Sequence, residues 1–165
     1  MWYKDVAQYC AEVEVKMSRY RKVIFVSTGG TCRSVLAKAV YNSINEDDNL
    51  EIEARGMVVL FEEPANPKAV AIAKSKNLDI DKEKAIPLVA EDFGDDTLIL
   101  VMTDLLKKKV YDDFENAVNV YSIREFTGEA LDVEAPFGGD LADYGSQYEY
   151  LEKLVIKVNG IINEI

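Results

Sequence analysis

Ten residues of this chain, Phe25-Val26-Ser27-Thr28-Gly29-Gly30-Thr31-Cys32-Arg33-Ser34, combine an apolar strand, a glycine-bearing loop and the start of a helix. Those residue types can hold a phosphoryl group. Backbone N–H groups must point inward to do so, which requires residues that tolerate positive φ, and Gly29 and Gly30 are read as supplying it. The helix that follows adds the positive end of its dipole. Arg33, six positions after Ser27, can set its planar fork on two phosphoryl oxygens, and Ser34 can hydrogen-bond residue 27. The predicted anion cradle is therefore Thr28, Gly29, Gly30, Thr31, Cys32, Arg33 and Ser34, around Ser27. The bland alternative is a plain strand-to-helix turn with Arg33 in solvent. The loop is no Walker motif, since no Gly-Lys-(Ser/Thr) follows, and no Gly-x-Gly-x-x-Gly fingerprint. A flavin phosphate loop is closer, because Ser and Thr hydroxyls surround the phosphate there too.

Composition narrows the chemistry. The chain has 165 residues, a formal charge of -11, two cysteines (Cys10 and Cys32) and no histidine. The missing histidine removes Ser-His-Asp and Cys-His catalysis and nearly all zinc sites. No metal or other cofactor is expected. The negative charge argues against nucleic acid and anionic membranes as partners. Two cysteines make no disulfide framework, no apolar run approaches a membrane span, and Met1-Trp2-Tyr3-Lys4-Asp5 lacks a signal-peptide core. A cytoplasmic location is expected.

The elements that must position the loop follow from hydrophobic period and caps. Trp2, Val6, Tyr9, Val13, Met17 and Tyr20 form one stripe of an amphipathic helix over 2–20. We divide the chain into this N-terminal extension, 1–21, and a domain over 22–165. The extension is read as packing on the domain, or alternatively as a homodimer or partner contact. Strands are predicted at Lys22–Val26, Leu50–Ala54, Thr97–Met102 and Val118–Tyr121. Helices are predicted at Arg33–Ile44, at Pro67–Lys76 behind an Asn66 cap, at Asp104–Phe114, and at Leu141–Ile162, with Gly145 able to delay the last. Strand and helix alternate, which predicts an α/β fold: a four-stranded parallel sheet with helices on both faces.

A second segment, Ala135-Pro136-Phe137-Gly138-Gly139-Asp140, precedes the last helix. Together with the loop at 26–34 it resembles the low-molecular-weight protein tyrosine phosphatase family. That family carries Cys-x-Gly-Asn-x-Cys-Arg-Ser-Pro near its N-terminus and Asp-Pro-(Tyr or Phe)-Gly-Gly near its C-terminus. The resemblance covers about 22–163 and leans toward bacterial protein-arginine phosphatases, because Thr31 stands where those enzymes carry threonine. It implies a substrate pocket flanked by Thr31 and Phe137, a phosphorylated protein, phosphate or sulfate as ligand, and phosphoarginine or phosphotyrosine as the group bound.

The match fails where the chemistry is. The family's nucleophilic cysteine is Ser27 here, and its general-acid aspartate is Ala135. A free thiol has a pKa of about 8.5, which helix starts and cations lower. An alcohol lies far higher, near water. The gap of about seven pKa units corresponds to roughly 10 kcal/mol of ionisation cost. Loss of the general acid costs about 10²- to 10⁴-fold more. Asp132, Glu134 and Asp140 are candidate substitutes, and Glu134 is expected to point to the other face. Gly30 replaces an asparagine and Val35 a proline. Cys32, beside Arg33 at a helix start, could have a lowered pKa, but its direction is wrong for in-line attack. Cys10 is read as a packed or surface thiol. The leading expectation is a catalytically impaired phosphatase-like domain that binds phosphorylated side chains. Two alternatives stand beside it: an active phosphatase carrying Ser27 and Ala135 by design, and a flavodoxin-like FMN carrier.

Overall fold

A computed structural model describes residues 20–136 and 138–165. The N-terminal helix expected over 2–20, with Cys10 and any dimer contact made through it, lies outside them except for Tyr20, which is buried.

Strand β1 (Lys22–Ser27) runs through the middle of the sheet. Its Val23, Ile24, Phe25 and Val26 are all fully buried. This is the continuous apolar pattern of a strand paired on both edges and covered on both faces. On one side it pairs in parallel with β2 (Glu51–Gly56), on the other with β3 (Thr97–Val101). The short β4 (Val120–Ser122) pairs in parallel with β3, so the order is β2-β1-β3-β4. The predicted strands appear with their ends moved by one or two residues.

Helix α1 (Arg33–Ile44) connects β1 to β2, and α2 (Pro67–Ser75) follows β2. The Asn66 side chain accepts from the Lys68 amide, as an N-cap before a proline should. Helix α3 (Asp104–Asp113) connects β3 to β4. The β1-to-β2 and β3-to-β4 crossovers move in opposite directions along the sheet. Right-handed connections therefore put α1 and α3 on opposite faces. Ser122 and Gly128, the latter at φ 74°, bound the five-residue α4 (Ile123–Thr127), too short to show a period in sequence. Helix α5 (Leu141–Glu164) packs against α1, α2 and α4. Gly145 does not delay it. An Asp140–Asp143 capping box starts the helix at Leu141, and a methyl added at Gly145 would lie 3.6 Å from Ile72.

Chain order reverses between β1 and its two neighbours, so the carboxyl end of β1 opens at a topological switch point. Two contacts bring the end of β2 against the loop that leaves β1. The Met57 amide donates to the Ser27 carbonyl at 3.0 Å, and the Val58 amide to the Thr28 carbonyl at 2.9 Å. Gly56 sits in the gap: a Cβ there would come within 2.8 Å of Gly29 and Gly30 backbone atoms and 2.7 Å of Val59. Gly56→Ala should therefore lose about 1–3 kcal/mol of stability, the range for overpacking. Gly29→Ala, whose methyl meets nothing within 4 Å, should stay within about 0.5 kcal/mol. Urea unfolding of both variants decides; equal losses would show that the close approach is not the constraint.

Candidate functional site

Ser27 ends β1 with its side chain buried, 1 % exposed. Its Oγ accepts from the Gly30 amide at 3.1 Å and shares a hydrogen bond with Ser34 Oγ at 2.8 Å. The loop between them turns back at Gly30, the residue with positive φ (71°). Gly29, expected to share that conformation, lies outside the left-handed region, because one reversal suffices to bring the chain into α1. A Cβ at Gly30 would approach the Gly56 amide at 3.1 Å, so the asparagine of the family motif would have to move that strand end.

Helix α1 starts here without help. Its Cys32 N-cap makes no side-chain hydrogen bond, and its first turn holds no acidic residue. The α-helices that begin at Pro67, Asp104, Ile123 and Leu141 all have a side-chain cap, from Asn66, Thr103, Ser122 and Asp140. The positive end of α1 is thus left for something else to satisfy.

Arg33 dominates the electrostatics. It is 5 % exposed, and among the described residues no carboxylate comes within salt-bridge distance of it. Its Nη1 donates to the Val133 carbonyl at 2.8 Å and its Nη2 to Thr28 Oγ1 at 3.3 Å. Burial pulls its pKa below the ordinary value, while the ionised form of Cys32 and the Glu134 charge act to raise it. An arginine stays protonated against such shifts. The result is a buried cation without a salt bridge, held by two dipoles and by the more distant Glu134 charge.

A cavity of about 250 Å³ opens above these groups. Ser27, Thr28, Gly29, Gly30, Thr31, Cys32 and Arg33 line it together with Ala135 and Pro136. The two sequence segments, about a hundred residues apart, therefore converge. Ser34 lies beneath, fully buried. Thr31 lines the pocket by its side, and its carbonyl accepts from the Asn66 amide at 2.9 Å. Phe137 lies outside the described residues. Among those residues, no group of His, Cys, Asp and Glu is placed to hold a metal ion.

Two wall residues escaped sequence reasoning: Asn66 and Tyr144, joined by an Asn66 Nδ2–Tyr144 OH hydrogen bond of 3.3 Å. Asn66 was legible as a cap, but the bond from its amide to Tyr144 was not. Tyr144 lies in the first turn of α5, where a long side chain leans back toward the helix start. Lys68 crosses the same edge, its ammonium 5.4 Å from the Tyr144 ring and bonded to the Gly139 carbonyl.

The candidate acids are engaged elsewhere. Asp132 accepts from the Asp104 amide at 3.2 Å and pairs with Arg124. Asp140 caps α5, and the Asp143 amide holds its carboxyl below the usual range. Glu134 is exposed. The lowered pKa considered for Cys32 is reversed: burial pushes its thiol up to about 11, outweighing the Arg33 charge.

Because that thiol is neutral at ordinary pH, Cys32 in a Cys10→Ser background should react with iodoacetamide at pH 8 at least about 10-fold more slowly than free cysteine. Unfolding should restore the free rate. Labelling of the native chain at that free rate would show that Arg33, not burial, sets the thiol.

Comparison with known proteins agrees with this geometry. The model of the family described as low molecular weight phosphotyrosine protein phosphatase matches residues 22–164. A protein-arginine-phosphatase of Bacillus subtilis is 34% identical over 138 residues, covering 81% of this chain and 91% of that protein. The low molecular weight protein-tyrosine-phosphatase PtpB of Staphylococcus haemolyticus is 30% identical over 141 residues, covering 83% and 96%. Among solved structures, a cysteine-to-serine variant of the YwlE arginine phosphatase with a phosphorylated active-site serine superimposes with a TM-score of 0.77. It is 30% identical, with 87% of this chain and 96% of that one covered. The FMN-carrier alternative finds no support in these matches. The chain belongs to the low-molecular-weight phosphotyrosine protein phosphatase family.

Proposed function

We propose that this domain binds the phosphoryl group of a phosphorylated protein side chain, phosphoarginine in preference to phosphotyrosine, and does not turn it over catalytically. One observation carries the reading: a buried guanidinium without a carboxylate partner faces a cavity whose floor is the uncapped start of a helix. A phosphoryl dianion would supply the missing negative charge and accept from the amides of residues 28–33 and from Arg33. Weak turnover follows from Ser27 in the nucleophile position and Ala135 in the general-acid position. No described carboxylate replaces the latter. The preference for phosphoarginine rests on Thr31 at the pocket wall and on similarity to arginine phosphatases. The phosphorylated serine reported for the YwlE variant supports room for a phosphoryl group beside a serine hydroxyl in such a cradle. No helix among the described residues is long and apolar enough to cross a membrane.

Titration calorimetry with phosphoarginine, phosphotyrosine and unphosphorylated peptides tests the binding. The phosphoarginine peptide should bind best, inorganic phosphate should compete, and Arg33→Lys should weaken binding about 10- to 100-fold, the loss of one to two charge-assisted hydrogen bonds. Equal binding of the unphosphorylated peptide would sink the reading. Turnover is tested separately. The unsubstituted chain should release no phosphate catalytically, whereas Ser27→Cys with Ala135→Asp should gain phosphatase activity. An inactive, folded double variant would mean that the cradle differs from a catalytic one in more than its reactive groups.

A further inference from the structure

A second cavity, of about 420 Å³, lies apart from the phosphate pocket and shares no described lining residue with it. Tyr121 on β4 and Phe126 on α4 contribute to its wall, their ring centroids 5.8 Å apart. Ile161 and Ile165, at the end of α5, add aliphatic surface. Two charged side chains line it, Lys107 and Glu125, and they pair with each other at 2.7 Å. The Lys107 ammonium also lies 5.7 Å from the Tyr121 ring. Among its described lining residues the groove therefore offers apolar surface and no unpaired charge, which suits a hydrocarbon face and not an ion. Tyr20 lines it too, and is buried.

We propose that this groove is the binding site for the chain's own residues 1–19, which seat Met17 and Val13 in it as an amphipathic helix running into Tyr20. The proposal is independent of phosphate binding.

The place where the segment joins the domain favours this occupant. The described chain begins at the groove wall, so the residues just before Tyr20 have no gap to span. The spacing favours it as well. Val13, Met17 and Tyr20 stand at i, i+4 and i+7, the anchor pattern of a helix laid in a groove. At 3.6 residues per turn they share one face, and the last of the three is already in position.

Charge separates this segment from a second copy of the chain. Residues 1–19 carry three basic side chains, Lys4, Lys16 and Arg19, and three acidic ones, Asp5, Glu12 and Glu14. The segment is thus neutral, like the Lys107–Glu125 pair at the groove. A second copy would bring its whole formal charge of -11 against an equal charge here. Tethering acts in the same direction. A segment joined at the groove wall has an effective concentration in the millimolar range, which a separate molecule does not reach in dilute solution.

The test uses the full chain in a Cys10→Ser background, with Ile161→Cys as a fixed thiol in the groove. A second cysteine is placed on the anchor face, Met17→Cys, or on the opposite side of the helical wheel, Ser18→Cys. These two positions are adjacent in sequence, so the tether alone gives them equal access. Oxidised in dilute solution, the Met17→Cys variant should close an intramolecular disulfide at least about 10-fold faster than the Ser18→Cys variant, because disulfide geometry is specific. Equal closure in both would overturn the proposal, since the tether would then explain it. A disulfide-linked dimer as the main product would give the groove to a second copy and overturn the assignment to the chain's own segment. Hydrogen exchange reads the same contact without engineered thiols, and decides if neither variant oxidises. Val13→Asp with Met17→Asp should speed amide exchange over 121–126 and 159–165 by about 10-fold or more while β1 stays protected. Unchanged exchange in those two stretches would overturn the proposal.

Discussion

A guanidinium buried without a salt-bridge partner is the constraint around which the rest of this site is arranged. Removing an ion from water costs several kcal/mol even after relaxation, and a partner normally offsets it. Arg33 has instead the Val133 carbonyl and the Thr28 hydroxyl. Its geometry thus depends on two loops far apart in sequence. Val133 is itself pinned, its amide donating to the Met102 carbonyl just past β3 at 3.0 Å. Tyr150 on α5 donates to the neighbouring Leu131 carbonyl. The arginine therefore ties the start of α1 to the end of β3 and, through this loop, to α5. Unsatisfied positive potential in such a place is a standing preference for an anion.

The sheet explains why this potential collects at one point. β1 is central, so its carboxyl end is flanked by the ends of β2 and β3, and α1 leaves it with its axis pointing back at the cavity. The bonds from Met57 and Val58 to the Ser27 and Thr28 carbonyls hold the loop from the β2 side. They also engage those carbonyls away from the pocket, where a carbonyl oxygen would repel a phosphate. Gly30 and Gly56 make this possible by giving the two backbones no side chain to separate them.

Much of this was legible in the sequence because it is local. The apolar run Val23–Val26, the Asn66-Pro67 cap and the Thr97–Val101 strand each state their structure within a few residues. The cradle was legible for the same reason, as was Ala135, through the short motif around it. What escaped depends on distant partners. No local pattern ties Val133 to Arg33, or pairs Asn66 with Tyr144. Cys32 was misjudged because a neighbouring cation is visible in sequence and burial is not. Gly29 was misjudged because two adjacent glycines look alike until the chain has turned. The five residues of α4 gave too short a period, although Ser122 and Gly128 were its caps.

Binding and cleavage separate cleanly in this architecture, for a structural reason. Ser27 and Ala135 stand at positions where the fold asks little of the side chain beyond its size. A hydroxyl at 27 still accepts from Gly30 and meets Ser34, and a methyl at 135 leaves the backbone of its loop in place. Arg33 is different. Without it the Val133 carbonyl and the Thr28 hydroxyl would lose a donor inside the protein, at about 1–3 kcal/mol for each group left unsatisfied. On the proposed reading, Arg33 therefore both binds and holds the domain together, while the residues at the cleaving positions do not. A chain of this design could surrender the chemistry and keep its fold, but it could not surrender the proposed anion site without loosening the join between α1, β3 and α5.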